Sequence, residues 1–239
     1  MACRRDVNLL IRGKDQYIMP GNTMSSGQKE PLFYSIILST SIIITPIPHL
    51  NHGNPLKAAP FDPSLNASLS NFPNIPPLSQ ASVPQIRRVT GPLYTAEKAF
   101  SDSATTHSEL TNPGPDDTEI KLAIVHQSAP SSSKPHPAIY FIHGGGLEIG
   151  NRFICAGPVE WVKDLDVVFV SVEYRVSPEY IYPIPLEDCF EGLKYVAENA
   201  ESLGIDADRI MAAGVSGGGS LAAGVTLLAR DRGCPKIHP

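Results

Sequence analysis

From residue 85 onward the apolar positions fall into two alternating rhythms, while residues 1–60 hold no sustained period. Thr118–Gln127 (TEIKLAIVHQ) alternates apolar and polar side chains, which predicts a strand with one buried face. His136–Ile142 (HPAIYFI) and Asp166–Val172 (DVVFVSV) are short continuous apolar runs, and these predict strands covered on both faces, as in a parallel sheet. Pro185–Leu203 has Pro in its first turn, Glu187 and Asp188 where the helix dipole favours acids, and Leu186, Phe190, Leu193, Ala197 and Ala200 on one face. Gly204 closes that helix. Arg209–Gly214 (RIMAAG) predicts the next strand, and Leu221, Val225 and Leu228 line a following helix that stops at Gly233. Strands and helices alternating at these lengths predict an α/β domain with a mostly parallel sheet flanked by helices.

The region before residue 85 reads differently. Of the 23 prolines, 11 lie within residues 1–84, where they interrupt every apolar stretch. Residues 1–60 are expected to be an irregular leader outside the fold. Leu32–Ile47 (LFYSIILSTSIIITPI) is uncharged, but its sixteen residues fall short of the roughly 20 needed to span a bilayer. It would suit a secretory h-region if translation began at Met24, although Glu30 and the lack of a small-residue cleavage site argue against secretion. The expected location is cytoplasmic, with secretion as the alternative. Residues 61–84 place apolar residues between prolines, with one short helix expected near Pro63–Leu69; Asn66-Ala67-Ser68 fits a glycosylation sequon that matters only on secretion.

A net charge of −5 and 18% charged residues give neither a basic nucleic-acid footprint nor a disordered polyelectrolyte. The cysteines at 3, 155, 189 and 234 form no C-x-x-C pair and have no histidine at zinc spacing, so free thiols are expected, with no metal and no cofactor.

Two glycine-rich sequences carry candidate chemistry. Gly214-Val215-Ser216-Gly217-Gly218 is a G-x-S-x-G sequence set between the strand Arg209–Gly214 and the helix behind it. A strand that reverses sharply into a helix leaves room only for small neighbours and presents the apex residue, Ser216, as an exposed nucleophile. The N–H of Gly217 then opens the helix and points toward a reacting carbonyl oxygen. The second sequence is His143-Gly144-Gly145-Gly146, at the carboxyl end of the strand AIYFI. Without Cβ atoms its N–H groups can approach and donate to an oxyanion. The motifs stand 73 residues apart (216 − 143), a spacing that fits strands three, four and five of one sheet.

With these motifs the chain resembles the hormone-sensitive-lipase-like branch of the α/β-hydrolases. Val172-Glu173-Tyr174-Arg175-Val176-Ser177-Pro178-Glu179 is similar to that branch's segment after the fourth strand, Pro183 and Glu187-Asp188 to its continuation, and Gly204–Ile210 to the lead into the nucleophile strand. The resemblance runs from about residue 61 to the last residue. It implies an α/β-hydrolase fold, with 61–84 as an amino-terminal cap segment and 85–239 as the amino-terminal part of the catalytic domain. It further implies a short-acyl carboxylic ester hydrolase acting on a small-molecule ester. Ser216 would be the nucleophile, and Gly145, Gly146 and Gly217 the oxyanion-hole donors. His143, Gly144, Gly214 and Gly218 would support the motifs; Arg175, Glu179 and Asp188 would be structural. Three positions depart from the branch: Val215 stands where Asp is usual, Gly217 where Ala is usual and Tyr180 where His is usual.

Hydrolases of this kind place their acid and histidine after the nucleophile. Only 23 residues follow Ser216, with Asp231 as the sole acid and His238 as the sole histidine among them. Neither fits a triad, so the acid and base are expected beyond the end of this chain, which as it stands would be nearly inert. The alternatives are a non-catalytic member that binds a small ligand, as the related gibberellin receptors do, and an inactive remnant. The oligomeric state is left open.

Overall fold

The computed structural model describes residues 79–129 and 135–238. The expectations for the leader, for Leu32–Ile47, for Pro63–Leu69, for Asn66 and for most of the cap segment lie outside the described residues. In chain order the elements are α1 (Val83–Thr90), α2 (Ala96–Ala99), β1 (Thr105–Pro113), β2 (Glu119–Gln127), β3 (His136–Ile142), α3 (Ala156–Val159), α4 (Trp161–Leu165), β4 (Val168–Glu173), α5 (Ile184–Glu198), β5 (Ile205–Gly214) and α6 (Gly217–Arg232). Helix α1 runs across the 84/85 boundary drawn from sequence.

The five strands form one sheet in the order β1-β2-β4-β3-β5. β2 pairs antiparallel with both β1 and β4, whereas β3 pairs parallel with β4 and β5. The sheet agrees with the α/β-hydrolase expectation: β1, β4, β3 and β5 run one way and β2 alone runs against them, which makes it mixed. β1 is a strand without a sequence signal, because its segment THSELTN is polar. As an edge strand in a hairpin it stays largely exposed and gains its stability from backbone pairing.

The period-two rule sorts each central strand onto two faces. Ala138, Tyr140 and Ile142 of β3, with Val168, Val170 and Val172 of β4 and Ile120, Leu122 and Ile124 of β2, join Phe190 and Leu193 of α5 and Leu221 and Val225 of α6 in the larger core. Ile139, Phe141, Phe169, Ala123 and Val125 point the other way and pack on Phe100, Val159 and Val162. Helices thus cover both faces, which is why β3 and β4 read as unbroken apolar runs.

Helix ends follow their sequence signals. Arg232 is the last residue of α6, capped by Gly233 at φ 71°. The regular turns of α5 end at Glu198, five residues before the predicted end. One further turn is closed by Gly204 at φ 67°, with Ile205 N–H donating to Ala200 O at 2.7 Å and Gly204 N–H to Glu201 O at 3.1 Å. This pair of bonds is a Schellman motif, so Gly204 performs the predicted stop on a looser final turn. Cys155 and Cys189 are buried free thiols as expected, whereas Cys234 is disulfide-bonded, contrary to expectation. No helix among the described residues is long and apolar enough to cross a membrane.

Candidate active site

β3 and β5 are neighbours and run parallel, so their carboxyl ends, Ile142 and Gly214, lie side by side. The two glycine motifs begin where these strands stop. This is the place where open α/β sheets gather their functional loops.

Ser216 sits between β5 and α6 at φ 54°, ψ −123°, a strained conformation for a residue with a side chain. Two glycines make the turn possible. A Cβ on Gly214 would lie 2.2 Å from Gly218 O, and one on Gly218 would lie 2.1 Å from Ile142 O and 2.4 Å from His143 O. The first turn of α6 therefore presses directly against the end of β3. Ser216 is exposed at the apex, and its side chain makes no hydrogen bond within the described residues.

The loop after β3 is held against this elbow. A Cβ on Gly144 would lie 2.8 Å from Val215 O, and one on Gly217 would lie 3.2 Å from Leu147 Cδ2. Gly145, Gly146 and Leu147 have φ values of 118°, 64° and 63° in succession. The Gly145 carbonyl accepts the N–H groups of Glu148 (3.1 Å) and Ile149 (3.0 Å), while the N–H groups of Gly145 and Gly146 donate to no acceptor among the described residues. The predicted donors and Ser216 are thus brought to one place.

His143 is fully buried and does not face Ser216 as a base. Its ring stacks on Tyr174 at 4.3 Å between centroids, its Nδ1 lies 2.7 Å from Gly144 O, and its backbone carbonyl accepts the Tyr174 hydroxyl at 2.8 Å. A carbonyl can only accept, so the proton sits on Nδ1, leaving Nε2 buried without a partner among the described residues. Burial is the main influence on this imidazole and pulls its pKa below the ordinary value. In the unfolded chain a histidine takes up a proton near pH 6.5, and in the folded chain this one does so only at lower pH. Its contribution to stability is therefore intact above that range and is lost as pH falls from about 6.5 toward the folded value. Thermal melts from pH 7.5 to 5 are expected to show a shallower acid-side decline in His143→Gln than in the parent; equal slopes would remove His143 from the account.

The loop after β4 is fixed by a buried ion pair. The Asp188 carboxylate is 1% exposed and accepts Arg175 Nη2 at 2.6 Å, Arg175 Nε at 2.8 Å and the Arg175 backbone N–H at 3.0 Å. This bidentate pair joins the loop to α5, and the guanidinium lies over the Tyr180 ring. Glu179 pairs with Arg87. Both arrangements agree with structural roles for Arg175, Glu179 and Asp188.

Asp231 and His238 are not brought to the elbow. Asp231 stands 15 residues beyond Ser216 on α6 (231 − 216), roughly 22 Å along the helix at about 1.5 Å per residue, and pairs with Arg230. The His238 N–H donates to Ile210 O, four residues back along β5 from Gly214. Two contacts are not legible in the sequence: Leu147 leaning over Gly217 and the Tyr174 ring behind His143. Both contacts join segments that only the sheet order brings together. No group of three or more metal-ligating side chains occurs among the described residues.

A family model described as alpha/beta hydrolase fold matches residues 139–238. Over these residues, less than half of its length, the chain is similar to the α/β-hydrolases, in keeping with the expected resemblance to their hormone-sensitive-lipase-like branch. Among curated proteins it is 38% identical over 102 residues to esterase LipI and 39% identical over 103 residues to carboxylesterase NlhH, both of Mycobacterium tuberculosis. Each match covers 42% of this chain and 32% of the relative, so the matched part spans about a third of those proteins. Among solved structures a bacterial heroin esterase superposes with a TM-score of 0.64 at 36% identity, covering 74% of this chain and 55% of that one. Esterase LipW from Mycobacterium marinum gives 0.61 at 30% identity, covering 66% and 50%.

Proposed function

We propose that the protein is a carboxylic ester hydrolase with Ser216 as its nucleophile, acting on short-acyl, small-molecule esters. The observation that carries this reading is the exposed, strained Ser216 set against a glycine loop with free N–H groups. The esterase names of its relatives support it.

Ser216 Oγ attacks the ester carbonyl carbon and passes its proton to a histidine. The carbonyl π electrons move onto oxygen, and the N–H groups of Gly145, Gly146 and Gly217 receive the oxyanion. Collapse of the tetrahedral intermediate breaks the bond to the alkoxy oxygen, which leaves as the alcohol with the histidine's proton. Water repeats the sequence on the acyl-serine, releasing the acid and restoring Ser216. Asp231 and His238 stand away from the elbow, so neither is assigned as the histidine or its orienting acid. Gly217 in place of alanine keeps the donor N–H and accommodates Leu147.

Reading the native transcript past codon 239, and assaying the resulting full chain with p-nitrophenyl butyrate, tests the proposal. An in-frame extension that supplies an acid and a histidine, with hydrolysis well above buffer, is the expected result. A verified stop codon at that point, with hydrolysis at the buffer rate, would overturn it and leave ligand binding without catalysis.

A further inference from the structure

We propose that Arg87 of α1 is a positioning residue for the oxyanion loop, setting the donor geometry through backbone carbonyls rather than by touching substrate. The proposal rests on the esterase reading above. Arg87 Nε donates to Glu148 O at 2.8 Å, Nη2 donates to Ser177 O at 2.5 Å, and Nη1 and Nη2 meet the Glu179 carboxylate at 2.8 and 2.9 Å. One planar guanidinium thereby joins three segments: the amino-terminal helix, the loop after β3 and the loop after β4.

The loop after β3 needs such a fixture. Its three successive positive-φ residues include Leu147, whose side chain makes that conformation costly, so the loop keeps its shape only if its surroundings hold it. From the β4 side one restraint is the Ser177 N–H, which donates to Leu147 O at 2.7 Å. Ser177 is the same residue whose carbonyl Arg87 grips, and Glu148, gripped by Nε, directly follows Leu147. Arg87 therefore closes a ring in which Leu147 is bonded to Ser177, and both Ser177 and Glu148 are bonded to Arg87. The ring begins one residue after Gly146. A guanidinium suits this task because its donors form a rigid fork, whereas a lysine offers a point charge on a flexible stem. The ion pair to Glu179 is the weaker part of the arrangement, since that carboxylate is half exposed.

The consequence is that α1 communicates with the donors. Displacing catalytic groups by about 1 Å costs up to roughly 100-fold in rate. In the full chain, Arg87→Ala is expected to lower kcat for p-nitrophenyl butyrate about 10- to 100-fold with KM changed less than about threefold. Arg87→Lys should recover part of the loss, and Glu179→Gln, which keeps both carbonyl contacts, should retain most of the parent kcat. Equal losses in Arg87→Ala and Glu179→Gln would overturn the proposal in favour of a simple ion-pair tether. Amide exchange on the 239-residue chain supplies a readout independent of turnover. Arg87→Ala is expected to speed exchange in peptides covering 143–150 while peptides of β3 and β4 stay protected; unchanged exchange at 143–150, or a rise across the whole chain, would overturn it. Because exchange needs no esterase activity, failure of the esterase reading would show as background hydrolysis in the parent and be told apart from failure of this one.

Discussion

In the full chain, Ser216→Ala is expected to lower kcat toward p-nitrophenyl butyrate by about 10⁵ to 10⁶, since removal of the nucleophile of a serine hydrolase costs about that much. A residue of roughly 10³ to 10⁴ over the uncatalysed rate should survive, because binding and the oxyanion donors remain. The substitution touches no hydrogen bond of the Ser216 side chain, so folding should be nearly unaffected. Stability offers a second, opposite readout. Ser216 occupies φ 54°, ψ −123°, which costs a residue with a Cβ about 1–3 kcal/mol. Ser216→Gly releases that strain but also frees the unfolded chain by about 0.4–1 kcal/mol, leaving a net gain of about 1 kcal/mol. Its midpoint should therefore rise by a few degrees, roughly 2–8 °C per kcal/mol for domains up to this size, while activity is lost. Retention of a tenth of parental kcat by Ser216→Ala would place the nucleophile elsewhere.

The elements that sequence reading recovers are those whose burial leaves a periodic imprint. β3 and β4 are covered on both faces and appear as unbroken apolar runs; α6 carries its stripe and its glycine stop. β1 escapes because an exposed edge strand is stabilised by backbone pairing that any sequence can make. The site divides in the same way. Ser216 and the glycines are legible because a sharp turn and a close approach admit few residue types, and Gly214, Gly218 and Gly145 each meet backbone atoms where a Cβ would go. Arg87 is not legible. It lies 61 residues before Glu148 and 92 before Glu179, and it binds carbonyl groups, which every residue has. Leu147 is hidden for the same reason, its strain being a property of the folded loop alone.

The elbow's glycines are not equivalent, and the difference predicts opposite outcomes for two neighbouring substitutions. A Cβ on Gly218 would lie 2.1 Å from Ile142 O and 2.4 Å from His143 O, both backbone atoms at the end of a central strand. No rotamer change can relieve such a clash. Either α6 must lift from β3, withdrawing Leu221 and Val225 from the core, or β3 must yield within a sheet where it pairs on both sides. Overpacking in cores costs about 1–3 kcal/mol when side chains can adjust. With backbone on both sides of the contact, Gly218→Ala is expected to exceed that range and reach about 4–5 kcal/mol, a large part of the stability of an ordinary domain. One residue on, a Cβ at Gly219 would meet its nearest atom, Gly214 O, at 3.4 Å, an ordinary contact. Gly219 lies inside α6, where alanine is favoured over glycine by about 0.5–1 kcal/mol, so Gly219→Ala should stabilise the chain by about that amount. Urea unfolding of the two variants, at unchanged m-value, reads the contrast directly. If both behaved alike, the close seating of α6 on the end of β3, and with it the position of Ser216 beside the loop donors, would have to be given up.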